Sequence, residues 1–286
     1  MKIVTDCAAD LTNQEVEELG IIVAPLFIHF PDQAINSLEI TPDDFYSRLK
    51  SLWPIIPTTA QPSAEIFLRI YQKLAEMNEE IISIHISSGL SGTIDSARLG
   101  ANQAVGAIVN IVDSMTLSGG ERFQVLVAKR MADLGFGKQA ILDRLEKLRT
   151  KTEVAYTLDT LAYLAKGGRI GRVQALAGSV LHIKPIIRVD RADGKYSTIG
   201  KARTIAKSLD NLTDHLVSEF DQTSVWVSVM HGQFAENAQA LAGLIKSRLN
   251  VARLEVLRIS PVLGVHTGPG IVGAAVVPMA LMEDFG

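Results

Sequence analysis

Residues 81–93 read Ile81-Ile82-Ser83-Ile84-His85-Ile86-Ser87-Ser88-Gly89-Leu90-Ser91-Gly92-Thr93. An apolar run of β type fills the first half and stops abruptly at a loop of hydroxyls and glycines. Gly89 and Gly92 let the backbone turn tightly, and Ser87, Ser88, Ser91 and Thr93 offer side-chain donors. The segment after Thr93 reads as a helix whose first amides lack internal partners, so an anionic oxygen would be well received there. The same residues also fit a hydroxyl-capped strand-to-helix turn that binds nothing.

Working outward, strand and helix signals alternate. Upstream, Lys2 to Thr5 is extended, Thr12-Asn13-Gln14-Glu15 has capping-box spacing, and Ile21 to Phe30 is a second extended run. Thr41-Pro42-Asp43-Asp44 opens a helix with proline and acids in its first turn, and Ser63 opens another. That helix, Ala64 to Met77, places Ile66, Phe67, Ile70, Tyr71 and Leu74 on one face and leads into the Ile81 strand. Downstream come a helix through Ala104, a strand from Ala107 to Val112, and helical stretches over Phe123 to Leu134 and Lys138 to Thr150. Such alternation predicts a parallel sheet covered on both faces.

Past Lys151 the rhythm changes. Pro185 to Val189 and Tyr196 to Ile199 flank Ala192-Asp193-Gly194-Lys195, a turn with hairpin chemistry, so antiparallel pairing enters. Helices from Arg203 to Phe220 and Ala235 to Leu249 alternate with strands Ser224 to Met230 and Arg253 to Ile259, and β-type sequence continues to Val277. The predicted class is α/β in two domains: residues 1–150 as a three-layer α/β/α domain with a parallel sheet, and residues 151–286 as a two-layer α/β domain with a mixed sheet. No Pro/Gly/Ser linker marks the boundary, so the domains are expected to pack closely.

Composition narrows the function. The 286 residues carry 28 basic and 31 acidic side chains, a formal charge of −3 that gives no footprint for nucleic acid or an anionic membrane. Hydrophobic residues make up 47% and aromatics only 6%, so the core is expected to be aliphatic, which suits an alkyl ligand without proving one. The single cysteine, Cys7, rules out an intramolecular disulfide and fits a reducing compartment. Asp6 and Asp10 stand where a signal peptide would be apolar, and no apolar run approaches the roughly 18 residues that span a bilayer. A cytoplasmic protein without stable membrane insertion is expected.

Several motifs fail on spacing or context. Gly89-Leu90-Ser91-Gly92 has its second glycine one place early for a nucleophile elbow. Gly268-Pro269-Gly270-Ile271-Val272-Gly273 has the letters of a dinucleotide fingerprint, but too little chain follows for the βαβ unit; it reads as a glycine turn that places His266 and Thr267 in a loop. Gly-Lys pairs at 137, 194 and 200 lack the following Ser or Thr of a P-loop. The histidines and acids show neither zincin nor calcium-loop spacing, so neither a metal nor a cofactor is expected. Lys166-Gly167-Gly168-Arg169-Ile170-Gly171-Arg172 presents cations among glycines, suited either to a carboxylate or phosphate or to the carboxyl end of the preceding helix. Asp6 is either a site acid or a turn residue that accepts from backbone amides.

Taken in series, Thr5-Asp6-Cys7-Ala8-Ala9-Asp10-Leu11, Thr59-Ala60-Gln61-Pro62-Ser63, Ile86 to Ala97, Val112-Asp113-Ser114, Leu158-Asp159-Thr160-Leu161 through Gly171, Lys184-Pro185 and Gly264-Val265-His266-Thr267-Gly268-Pro269-Gly270 resemble the DegV family. The resemblance implies a two-domain carrier of one long-chain fatty acid such as palmitate, with its tail in an apolar tunnel and its carboxylate between the domains. It also implies that a separate dihydroxyacetone-kinase-like subunit phosphorylates that carboxylate to an acyl phosphate. Carried over by position, the ligand contacts are Thr59 and Ser91 from the first domain and His266 from the second, with Arg169 and Arg203 as contacts for the kinase or its phosphate. The chain departs from the usual pattern at Cys7 and Ala60, where serine is common, and at Arg122, where glycine is frequent. Two other readings stay open: a Ser91/His266 acyl hydrolase or acyltransferase, and an apolar-ligand sensor that works without a kinase.

Overall fold

The computed structural model describes residues 1–177 and 183–283. In chain order its first strands and helices are β1 (Lys2–Asp6), α1 (Asn13–Leu19), β2 (Ile22–Ala24), β3 (Phe27–His29), β4 (Ala34–Asn36), α2 (Pro42–Leu52), β5 (Thr58–Ala60), α3 (Ala64–Glu76), β6 (Glu80–His85), α4 (Thr93–Gln103) and β7 (Ile108–Asp113). Next come α5 (Ser118–Asp133), α6 (Lys138–Lys151), β8 (Glu153–Thr157), α7 (Ala162–Lys166), α8 (Gln174–Ala177), β9 (Lys184–Val189) and β10 (Tyr196–Ala202). The last are α9 (Ile205–Phe220), β11 (Val225–His231), α10 (Ala235–Arg248), β12 (Val251–Arg258), α11 (Pro261–Thr267) and β13 (Val272–Pro278). The helix starts are written in hydroxyls: Thr12 closes a full capping box with Glu15, while Thr41, Ser63 and Thr204 accept from the amide three residues on.

The two-domain α/β class is as expected. Strands β2-β1-β6-β7 form a parallel sheet, and β10-β9-β8-β13-β11-β12 form a mixed sheet in which only β11 and β12 run parallel. Strand β6 explains the first sheet's burial: Ile81 packs with Phe67, Tyr71 and Leu74 of α3, whereas Ile82 and Ile84 face the core that holds Phe123 and Val127 of α5. The mixed sheet carries α9 and α10 on one face through Leu212, Leu216, Leu241 and Ile245, and α5 lies against β8 and β13 on the other. Helix α5 is therefore a layer shared by both sheets.

That position corrects two local expectations. Helix α5 begins at Ser118 rather than Phe123, because Gly119 and Gly120 act here as close-approach residues and not as a turn; a Cβ on them would lie 2.6 Å from Ala275 Cβ and 2.6 Å from Val154 Cγ2. The extended run from Ile21 to Phe30 is two strands in two sheets, broken at Pro25, which has no amide to donate. Strand β3 joins β4 and β5 in a three-stranded antiparallel sheet that the sequence reading did not anticipate, and Thr59 sits on it opposite Ile28.

The shared helix carries charge into the interior. Arg122 is 3% exposed and donates to Glu15 of α1 on one side, and on the other to Glu255 of β12 at 2.5 Å and to Ser228 of β11 at 3.1 Å. Glu255 also accepts from Trp226 Nε1 at 2.9 Å, so its charge is fully engaged. Removing the cation strips Glu15 of this counter-charge and leaves Glu255 with only the longer Arg253 pair at 3.8 Å, which is costlier than losing a surface pair. Arg122→Ala is expected to lower unfolding free energy by about 2–4 kcal/mol in urea titration; a loss within 0.5 kcal/mol, the range of ordinary surface substitutions, would contradict this role.

Candidate functional site

At the end of β6 the chain turns under local control. Ser87 N donates to Thr116 O at 2.8 Å, and Ser91 N donates back to Ser87 O at 3.1 Å. Ser91 Oγ lies 2.8 Å from Thr93 Oγ1 and accepts from Thr93 N at 3.3 Å, while Gly92 gives α4 no side-chain cap. The helix-capping reading of this loop is thus correct as far as Ser91 goes. The loop nevertheless faces open space: Ser88 to Gly92 line a cleft of about 630 Å³ together with Gly168, Arg169, Arg172, Lys195 and Tyr196.

Asp6 is a structural acid. Fully buried, it accepts from Ala8 N at 3.0 Å, Ile86 N at 3.1 Å and His85 Nδ1 at 3.1 Å. His85 Nε2 is 2.7 Å from Ser83 Oγ, which is 2.8 Å from Tyr71 OH. This Asp–His–Ser order has the contacts of a catalytic triad, yet all three side chains are wholly buried in the sheet, where they tie β1 to β6.

Thr59 and His266 are brought together across 207 residues of sequence, with Thr59 Oγ1 2.7 Å from His266 Nε2. His266 stands in the last turn of α11, not in a loop; the helix runs through Thr267 before Gly268, at φ +75°, ends it. Its Nδ1 is buried without a hydrogen-bond partner among the described residues, and Gly167 backs onto it so closely that a Cβ there would lie 2.2 Å away. The glycines of the 166–172 loop therefore serve approach as well as turning. Arg169 links the two halves, donating Nη1 to Gly167 O at 2.8 Å and Nε to Leu90 O at 3.4 Å. Burial first, and the Arg169 charge second, depress His266 to about 4, so the ring is neutral near pH 7.

The remaining expected residues divide. Ser91 and Arg169 line the cleft, whereas the Thr59–His266 pair and Arg203, exposed just beyond β10, line neither the cleft nor the cavity described below. Arg172 and Lys195 supply cleft cations in its place; Arg172 stood within the glycine-cation motif, whereas Lys195 is a hairpin-turn residue with no linear signal. Ser91 and His266 bond to Thr93 and Thr59, not to each other, which leaves the hydrolase reading without a nucleophile–base pair. Cys7 points away from the site, accepting from Leu26 N at 3.2 Å and lying 2.9 Å from Ser37 Oγ; burial pushes its thiol up to about 12.

Behind the cleft lies an apolar cavity lined by Leu117, Val154, Tyr156, Met230, Ile259, Leu263 and Ile271, with a floor of Gly273, Ala274 and Ala275. Its free volume is about 20 Å³, room for one water-sized sphere. Tyr196 lines both spaces. A cationic, hydroxyl-rich cleft and a small aliphatic cavity thus share one wall residue.

The fold defines a two-domain α/β protein with a cleft lined from both domains. Residues 1–279 match the family model described as an uncharacterised protein of the DegV family. A DegV domain-containing protein of Clostridium perfringens is 35% identical over 276 residues, covering 96% of this chain and 97% of that protein. The chain belongs to the DegV family. Among solved structures, a DegV family protein from Thermus thermophilus described for its fatty-acid binding is 31% identical with a TM-score of 0.90, covering 97% of this chain and 99% of that one. DegV of Bacillus subtilis, described as a fatty acid binding protein, is 27% identical with a TM-score of 0.87 over 97% and 98% of the two chains. Among the described residues no helix is long and apolar enough to cross a membrane.

The state of His266 has a measurable consequence. In the fold it takes its proton only near pH 4, against 6.5 ordinarily, so between these values the unfolded chain holds more protons and stability rises with pH. In His266→Gln the slope of unfolding free energy against pH is expected to be lower than in the parent by up to about 1.4 kcal/mol per pH unit across that window. Parallel curves for parent and variant would show that His266 titrates normally.

Proposed function

We propose that this protein binds one long-chain fatty acid without transforming it, its carboxylate received by Thr59, Ser91 and His266 at the domain interface and its tail lying in the apolar cavity. The observation that carries the reading is that Tyr196 lines both the hydroxyl-rich cleft and the aliphatic cavity. Fatty-acid binding by the Thermus and Bacillus relatives supports it.

The energetics divide between the two ends. Each buried methylene contributes about 0.8 kcal/mol, so a palmitate-length tail provides most of the affinity. The carboxylate is costly to bury unpaired, and the hydroxyls, a neutral imidazole N–H and the nearby Arg169 charge offset that cost and fix orientation. A neutral His266 gives no proton to the acid and needs no counter-charge of its own.

The exposed side of the cleft, with Arg169 and Arg172 beside the carboxylate position, suits presentation of the acid to a separate kinase subunit that forms the acyl phosphate. Arg203, off the cleft but on the same hairpin strand's exit, is assigned to that partner's surface. The carrier itself then works inside the cell, where such a kinase operates.

Calorimetric titration with palmitate tests the head-group assignment. Thr59→Val and Ser91→Ala are each expected to weaken binding by roughly tenfold, the loss of one hydrogen bond to a charged group at 1.5–3 kcal/mol less partial rehydration. Unchanged affinity in both variants would remove these residues from the site, and no heat or uptake with the parent protein would overturn fatty-acid binding itself.

A further inference from the structure

The open cleft and the apolar cavity meet at a single buried ring. Tyr196 is 5% exposed, stands edge-on to Tyr156 with centroids 6.0 Å apart, and is a wall residue of both spaces. A cavity that admits one water-sized sphere must dilate to take an alkyl chain, since sites that enclose small organic ligands run to roughly 300–1,000 Å³. Something along the passage has to move.

The hairpin that carries Tyr196 is built to do so. Strand β10 is the edge of the mixed sheet, paired only to β9 and with an irregular register between Thr198 and Gly200. Its turn rests on the head-group loop through one hydrogen bond, Ser87 Oγ to Gly194 O at 2.8 Å, and through close backbone packing against Gly89. Arg172 holds the other side, donating Nη2 to Asp193 Oδ1 at 2.9 Å and Nε to Tyr196 O at 3.4 Å. Breaking these contacts and the terminal Tyr196–Val189 rung lets the tip swing as a turn, while the ladder from Ser197 onward stays intact.

We propose that the β9–β10 hairpin tip, residues 190–196, is the door of the alkyl cavity and that Tyr196 is the side chain a ligand displaces on entry. The proposal rests on fatty-acid binding as read above. Because ligand enters and leaves by the same step, the door governs both rates more than it governs affinity.

Loosening the tip tests this. Ser87→Ala removes the hydrogen bond that ties Gly194 O to the head-group loop. Uptake of cis-parinaric acid, followed by stopped-flow fluorescence, is expected to be several-fold faster in this variant than in the parent, up to roughly tenfold for one lost hydrogen bond. An unchanged uptake rate would overturn the door. Tyr196→Ala is expected to release parinaric acid roughly tenfold faster; an unchanged release rate would overturn the proposal as well. If the parent protein takes up no parinaric acid at all, fatty-acid binding fails and the door with it, a result separate from either of these.

Discussion

Helix α5 has no face to give to water through most of its length, and the architecture follows from how that is accommodated. From Ser118 to Ala128 every residue is buried, including Glu121, Arg122 and Gln124. Two bare glycines let its first turn approach β13 and β8, and each polar side chain in that turn reaches a partner in another element. Arg122 spans α1 and β12; Ser118 Oγ donates to Asp10 at 2.5 Å; Glu121 accepts from Thr5 Oγ1 at 3.2 Å. Burial, and then the nearby Asp6, raise the Glu121 carboxyl well above the usual range.

The same constraint reaches the site. Asp10 accepts from Ser118 on α5 and, through its other oxygen, from Ser260 N at 2.8 Å, the residue that precedes α11. Burial raises Asp10 to about 6, against the opposing pull of its hydrogen bonds to Ser118 and Ser260 and of the Arg122 charge. Helix α11 in turn carries His266 to Thr59. A continuous path of hydrogen bonds and backbone therefore runs from the shared helix to the interface pair, which makes the position of His266 a property of the domain packing and not of its own loop.

Much of this was legible in the residues. Hydroxyl caps at Thr12, Thr41 and Ser63, the heavily apolar β6 run and the hairpin turn at 192–195 are local signals, set by backbone chemistry within a few residues, and they gave the elements and the α/β class. What escaped was set by contact at long range. The helix reads as starting at Phe123 because nothing near Gly119 and Gly120 in sequence reveals the strands that press on them. The Ile21 to Phe30 run conceals two strands because only the third sheet separates them. Thr59 and His266 were identified through family resemblance, and their contact is a fact of packing. Lys195 at the cleft and Tyr196 at the passage had no linear signal, since their roles depend on where a hairpin tip lands. Arg203 shows the converse: position in a motif did not place it at the cleft.

Native mass spectrometry of the purified protein, followed by solvent extraction and identification of whatever is released, addresses the carrier reading most directly. One long-chain fatty acid per chain, displaced by added palmitate and depleted in Thr59→Val, is the expected result. A protein that emerges without lipid and takes up no added acid would contradict it.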